Sequence, residues 1–106
     1  MKTFKDLEFM VHPSGGWAST LKFKNGYKLS VVCGEFAYCT PRLNLPSPLN
    51  YNSYEIALFD PAGEFATRQV FGGGDDDVLG WLSVDQINEK ISIVETLGSD
   101  ADINDK

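Results

Sequence analysis

Residues 17–33 read WASTLKFKNGYKLSVVC and carry the clearest strand pattern in the chain. On both sides of Asn25 and Gly26, large apolar residues alternate with polar ones, a period of two that is typical of strands with one buried face. The Asn-Gly pair accepts the positive φ angles of a type I′ turn, so the stretch predicts a β-hairpin. We therefore expect an antiparallel sheet built outward from this hairpin.

Segments before and after the hairpin extend the predicted sheet. Residues 7–11 also alternate, which predicts a preceding strand that ends at the Pro-Ser-Gly-Gly stretch 13–16. Residues 54–58 predict a further strand, and Asp60-Pro61-Ala62-Gly63 suits a type I turn in which the Asp60 carboxylate accepts a backbone N–H. Residues 65–71 are then predicted to return as the second strand of another hairpin.

The apolar period changes from two to 3.6 near the end of the chain, over residues 84–97. Ser83 with Gln86 forms a capping-box pattern, and Gly98 suits the C-terminal end, so this segment predicts a helix. The predicted fold is an α+β domain of residues 1–98, with an antiparallel sheet of about five strands and this helix packed on one face. Residues 99–106 are predicted to form a short acidic tail.

Charge is divided unevenly along the 106 residues. Residues 1–54 carry six Lys/Arg against three acids, whereas residues 55–106 carry three against twelve, and the net charge is -6. Such a balance disfavours binding to a nucleic-acid backbone or an anionic membrane and favours basic partners. Because no apolar run approaches the ~18 residues of a membrane span, we expect no signal peptide or anchor and a cytoplasmic location.

The string Gly72-Gly73-Gly74-Asp75-Asp76-Asp77 has three possible interpretations. The adjacent carboxylates could hold a divalent cation, form a solvated acidic loop, or dock on lysines and arginines of a partner. The string lacks the alternate spacing of a calcium loop and the Lys of a phosphate-binding loop. We therefore predict no metal and no cofactor.

A cysteine nucleophile is the main catalytic alternative. His12 is the only histidine that could activate Cys33 or Cys39. Cys33 lies on the inward phase of its predicted strand, where a thiol acts as a small buried hydrophobe. Both cysteines are predicted to be reduced thiols, and no residue is predicted to be catalytic.

Two irregular regions carry aromatic residues outside the predicted core. Residues 34–52 form a connection longer than the usual ~12–15 residues, and such a connection is often functional. The competing interpretation is a proline-stiffened crossover in which Phe36, Tyr38, Leu43 and Leu45 plug the core. Tyr38 and Trp81 are the aromatics that we expect to anchor an interface.

Several strings resemble a group of small proteins encoded by bacteriophages and prophages. The resemblance covers roughly residues 22–97 and rests on Asn25-Gly26-Tyr27, Leu29-Ser30-Val31-Val32, Gly34, Tyr38, Tyr54-Glu55-Ile56-Ala57-Leu58 and Asp76-Asp77-Val78-Leu79-Gly80-Trp81-Leu82. It implies a phage or prophage origin and transfers no catalytic residue. Phage proteins of this kind often act by occupying a host protein, and inhibitors of CRISPR effectors are one such class.

These observations predict a nonenzymatic protein in the cytoplasm of a host cell that binds a host protein. The expected partner has a basic, nucleic-acid-binding surface, as a defence nuclease does, with no direct binding of nucleic acid. The predicted partner-binding residues are Tyr38, Asp75, Asp76, Asp77, Trp81, Asp85 and Glu89. A structural or homo-oligomeric phage accessory protein is the alternative.

Overall fold

The computed structural model describes residues 2–72 and 77–97, and within them it shows a five-stranded antiparallel sheet with one long helix packed against it. The strands are β1 Met10–Val11, β2 Trp17–Lys22, β3 Lys28–Cys33, β4 Tyr54–Phe59 and β5 Leu79–Leu82. Their spatial order follows the chain, so the sheet is a meander. The predicted α+β class is confirmed, while Gly98 and the predicted tail lie outside the described residues.

The core lies between the sheet and helix α2, Val84–Thr96. Strand register places Ser19, Val31 and Ile56 in one row across three strands, and Leu21, Leu29 and Leu58 in the next. The helix contributes Ile87, Ile91 and Val94, which are completely buried. Each such side chain contributes about 1.5–3 kcal/mol through removal from water, so the stripe at helical spacing fixes the helix to this face.

Helix α2 begins as the sequence predicts. The Ser83 side chain accepts the Gln86 N–H, and the Gln86 side chain accepts the Ser83 N–H, which completes a capping box. Within residues 2–72 and 77–97, no helix is both long and apolar enough to cross a membrane.

The hairpin between β2 and β3 is confirmed, but its predicted turn type is wrong. Gly26 has a φ of 94°, and Asn25 does not take the positive φ that a type I′ turn requires. The Gly26 N–H donates to the Phe23 carbonyl at 3.0 Å and the Phe23 N–H donates to the Tyr27 carbonyl at 2.9 Å, a three-residue loop with glycine at the left-handed position.

The predicted return strand over residues 65–71 is also wrong. Only Phe65 forms a bridge to β4, and Thr67–Phe71 is the short helix α1. The Thr67 hydroxyl is buried and accepts the Leu58 N–H at 2.8 Å, so a side chain replaces the next rung of the ladder. The turn before it has the predicted chemistry, because the Asp60 carboxylate accepts the N–H groups of Ala62 and Glu64.

The fifth strand is therefore β5, which the sequence reading did not assign. It pairs with the other end of β4 through Tyr54 with Leu82 and Ile56 with Leu79, and a bulge interrupts the register between them. One edge of β4 is thus completed by two separate segments, residues 65–67 and β5.

The first predicted strand is much shorter than residues 7–11. Only Met10 and Val11 pair with β2, because the chain before them leaves the sheet and carries Phe9 toward the core. The rings of Phe4, Phe9 and Tyr54 form a tilted cluster with centroid separations of 5.1–6.1 Å. Helix α2 anchors this segment, since the Phe4 N–H donates to the Asn88 side chain at 2.7 Å.

The long connection 34–52 is irregular but well anchored. The Tyr51 hydroxyl donates to the Leu43 carbonyl at 2.7 Å and accepts the Leu45 N–H at 2.8 Å. The Trp17 indole N–H donates to the Leu45 carbonyl. Of the four residues that could plug the core, only Leu45 packs against it, while the buried apolar side chains of the connection are those of Ala37, Cys39 and Tyr51. The connection therefore closes the core and also projects Phe36 and Tyr38 outward.

Candidate binding surface

Tyr38 and Trp81 come together on the surface as a stacked aromatic pair. Their ring centroids are 5.2 Å apart with an interplanar angle of 28°, and the Arg42 guanidinium carbon lies 5.3 Å from the centroid of the Tyr38 ring. Tyr38 is 40% exposed and Trp81 is 55% exposed. We call Tyr38, Arg42 and Trp81 the aromatic surface. It joins the connection 34–52 to strand β5.

Backbone contacts hold this pair in place. The Trp81 N–H donates to the Tyr38 carbonyl at 2.8 Å, and the Tyr38 N–H donates to the Glu55 carboxylate at 2.8 Å. Gly80 permits the close approach, because a Cβ at that position would lie 2.5 Å from the Tyr38 Cβ. The loop therefore packs directly on the bulge of β5.

Trp81 adopts a strained backbone conformation. Its φ is 57°, and it is the one residue other than glycine with a positive φ among the described residues. A left-handed conformation costs an ordinary residue ~1–2 kcal/mol. The fold thus holds an exposed indole in a conformation that glycine would adopt without strain, and such outliers cluster at functional positions.

A cavity of about 240 Å³ lies next to the aromatic surface on the outer face of the sheet. Its lining includes His12, Trp17, Val32, Phe36 and Glu55. Val32 and Glu55 are direct partners across β3 and β4, on the face opposite the core residues Val31 and Ile56. We call this space the Glu55 cavity. Since the Glu55 carboxylate also accepts the Tyr38 N–H, the cavity and the aromatic surface share one residue.

The cysteine and histidine of the catalytic alternative both line the Glu55 cavity, but the thiol is not activated. Burial, reinforced by Cys39, raises the pKa of Cys33 from its ordinary 9.0 to about 12. The pKa of Cys39 is also raised, chiefly by burial. His12 Nδ1 lies 2.7 Å from the Ser14 hydroxyl rather than bonding a thiol. Cys33 therefore stays protonated at neutral pH and is a poor nucleophile.

The predicted acidic residues that the structure describes lie on other segments than the aromatic pair. Asp77 lies 3.5 Å from Arg68 of α1, in an exposed ion pair. Asp85 and Glu89 are exposed one turn apart on α2, which packs on the opposite face of the sheet from the Glu55 cavity. Asp75 and Asp76 lie outside the described residues. Within the described ranges, no group of three His, Cys, Asp or Glu is placed to hold a metal ion.

The sequence reading missed Arg42, Glu55 and Gly80 as parts of the surface. One signal was available, because Glu55 on the outward phase of β4 and the glycine of a bulge can both contact a loop that crosses the outer face. The packing of residue 38 over residue 80 is a tertiary contact with no local signature.

Comparison with known proteins gives no relative from which a role could be transferred: no protein-family model, no curated protein and no solved structure matches the chain.

Proposed function

We propose that this chain is a phage-encoded protein that acts without catalysis by binding and occupying a host protein. The observation that carries the proposal is the aromatic surface. Tyrosine, tryptophan and arginine are the residue types most enriched among the energetic centres of protein interfaces. Here one of each is exposed: Tyr38 and Trp81 are stacked and held by hydrogen bonds of their backbone N–H groups, and the Arg42 guanidinium lies over the Tyr38 ring.

Rigidity of the surface supports a binding role. Association costs free energy when side chains must be ordered on contact, about 0.5–1.5 kcal/mol for each one immobilised. The Tyr38 and Trp81 rings already contact each other, and the backbone of both residues is hydrogen-bonded. Less ordering therefore remains to be done when a partner binds.

Charge supports a basic partner, which for a defence nuclease would be its nucleic-acid groove. The chain carries 15 acidic side chains against 9 basic ones. Asp85 and Glu89 are exposed on α2, and within the described residues neither forms a salt bridge. Acids of this kind raise the rate of encounter with a basic surface, and the aromatic surface would then slow dissociation.

Affinity capture from a bacterial host lysate tests the proposal. Tagged wild-type protein should recover a nucleic-acid-binding protein, in an amount that falls as salt rises. Trp81→Ala should lose most of this protein. The matched control is Leu49→Ala, because Leu49 is also an exposed large apolar residue, at 69%, but lies in a separate short 3-10 helix.

Two outcomes would contradict the proposal. Equal recovery by Trp81→Ala and Leu49→Ala would show that the partner does not use the aromatic surface. Recovery of the chain alone as a defined multimer, confirmed by size-exclusion chromatography, would instead support the homo-oligomeric accessory protein.

A further inference from the structure

We infer that the Glu55 cavity receives an arginine side chain of the bound protein. The inference rests on the proposed function, since it names a chemical feature of the partner. It concerns a different part of the surface, because Trp81 does not line the cavity.

Size is the first argument. Small-molecule sites usually measure about 300–1,000 Å³. The Glu55 cavity, at about 240 Å³, falls below that range. It is better matched to one long side chain that enters from the surface than to a cofactor or metabolite.

Charge is the second argument. Among the residues that the structure describes, Glu55 supplies the only carboxylate in the lining, and none of the lining residues is Lys or Arg. Within the described residues Glu55 forms no salt bridge. One of its oxygens accepts the Tyr38 N–H at 2.8 Å, which orients the carboxylate. A cation that reaches the second oxygen would neutralise the cavity.

The aromatic wall distinguishes arginine from other cations. Phe36 lines the cavity while 71% of it remains exposed. A planar guanidinium stacks on aromatic faces, is weakly hydrated and can bond a carboxylate through two N–H groups, whereas an ammonium is compact and strongly hydrated. The combination of an aromatic wall and one oriented carboxylate therefore favours arginine.

The location also fits a protein partner. Glu55 links the cavity to Tyr38 of the aromatic surface, so a protein seated on that surface would cover both. An arginine at the edge of its contact region could enter the cavity, and a basic nucleic-acid groove would supply one.

A two-ligand titration of the isolated protein tests the inference. N-acetyl-arginine amide is added while backbone amide signals are followed by NMR, and N-acetyl-citrulline amide serves as the neutral ligand of the same shape. We expect saturable shifts at Tyr38 and Glu55 with the arginine compound and none with the citrulline compound. Equal shifts with both would overturn the inference, whatever the behaviour of any variant.

Matched variants locate the effect. Glu55→Gln keeps an acceptor for the Tyr38 N–H but removes the charge, and should weaken binding of the arginine compound about 10- to 100-fold, as loss of a charge-assisted hydrogen bond implies. Glu35→Gln makes the same change in net charge at an exposed residue outside the lining and should leave binding unchanged. Equal loss in both variants would show a general charge effect and contradict the site.

Two further outcomes separate the competing explanations. Shifts at the cavity that appear with protein concentration alone would mean that a second copy of the chain fills it, which overturns the inference. The titration needs no partner. If it fails, the prediction that Trp81→Ala loses the captured protein is unaffected. Conversely, arginine binding in the absence of a captured partner would contradict the proposed function and not the cavity.

Discussion

Trp81 combines strain and exposure in one residue. Its φ of 57° places an indole in left-handed backbone, and its side chain is half exposed rather than buried. Stacking with Tyr38 contributes about 0.5–1.5 kcal/mol, which is similar to the ~1–2 kcal/mol that the backbone conformation costs. Stability alone therefore does not explain why tryptophan occupies this position, whereas binding would.

The strain predicts an unusual order of stabilities at residue 81. Trp81→Ala and Trp81→Gly both remove the ring, but only glycine relieves the backbone, so the glycine variant should be more stable by about 1 kcal/mol. Chemical denaturation of both variants measures this difference. Ala18→Gly on β2 is the control, because glycine in ordinary strand geometry should destabilise by ~0.5–1 kcal/mol. If Trp81→Gly is the less stable variant, residue 81 is not strained.

Cys33 predicts how stability depends on pH. Its pKa is raised from 9.0 to about 12, so the folded state favours the protonated thiol. This contribution is complete below pH 9 and is lost between pH 9 and about 12, as the unfolded chain gives up the proton first. The free energy of unfolding should fall across that window, by at most about 4 kcal/mol from this group.

Urea denaturation at a series of pH values tests this expectation. Cys33→Ala should be less stable at neutral pH but should lose less stability above pH 9. The burial of Tyr54, whose pKa is raised to about 12, leaves a residual slope in both proteins. Parallel curves for the variant and the wild type would show that the thiol titrates alike in the folded and unfolded chains.

At the level of elements, the β2–β3 hairpin also holds the end of helix α2. The Asn25 side-chain amide donates to the carbonyls of Val94 at 2.8 Å and Leu97 at 2.6 Å, while its oxygen accepts the Tyr27 N–H at 3.0 Å. The carbonyls at a helix C-terminus lack partners within the helix, so a side chain from the hairpin replaces water there. One asparagine thereby joins the turn to the helix.

Asn25→Ala removes three hydrogen bonds, two of them at the helix end, and should therefore destabilise the protein by about 1.5–4.5 kcal/mol. Asn25→Asp should be no better, because it keeps the bond to Tyr27, loses both donors and adds a negative charge at the helix C-terminus. Thermal unfolding of both variants measures this. Asn52→Ala is the control at an exposed asparagine. If it loses as much stability as Asn25→Ala, the Asn25 side chain does not stabilise the helix end.

Secondary-structure elements that depend on local sequence patterns were predictable from the sequence. The alternation over residues 17–33 and the capped helix from Ser83 both appear in the structure, since patterning and capping decide them. The strand predicted over residues 65–71 was wrong because Phe65 and Phe71 fit a period of two, while Thr67, Val70 and Phe71 also fit helical spacing. Strand β5 was not predicted because a bulge at Gly80 and Trp81 interrupts its alternation of apolar and polar residues.

The candidate site was predictable only in part. Tyr38 and Trp81 were selected because large aromatics in irregular segments often lie at interfaces, and the structure brings these two together. The acids were selected by charge. Of those that the structure describes, Asp77 forms an ion pair with Arg68, and Asp85 and Glu89 are exposed on α2. The ion pair with Arg68 is a contact between side chains of different segments, which charge patterning does not encode.

At the scale of the whole molecule, the two faces of the sheet have different roles. One face packs on α2 and supplies the core. The other presents the aromatic surface and the Glu55 cavity side by side, held by the loop 34–52. This division is consistent with a small binding protein whose stability and recognition use opposite sides of the same sheet.

If the aromatic surface is the energetic centre of binding to a host protein, its loss must weaken the complex far more than the loss of another exposed apolar side chain. A titration of the captured partner with wild-type protein, Trp81→Ala and Leu49→Ala measures this as dissociation constants. Loss of at least about 2 kcal/mol, or roughly 30-fold, is expected for Trp81→Ala, with Leu49→Ala close to wild type. Equal dissociation constants for all three proteins would show that the aromatic surface contributes nothing particular to binding.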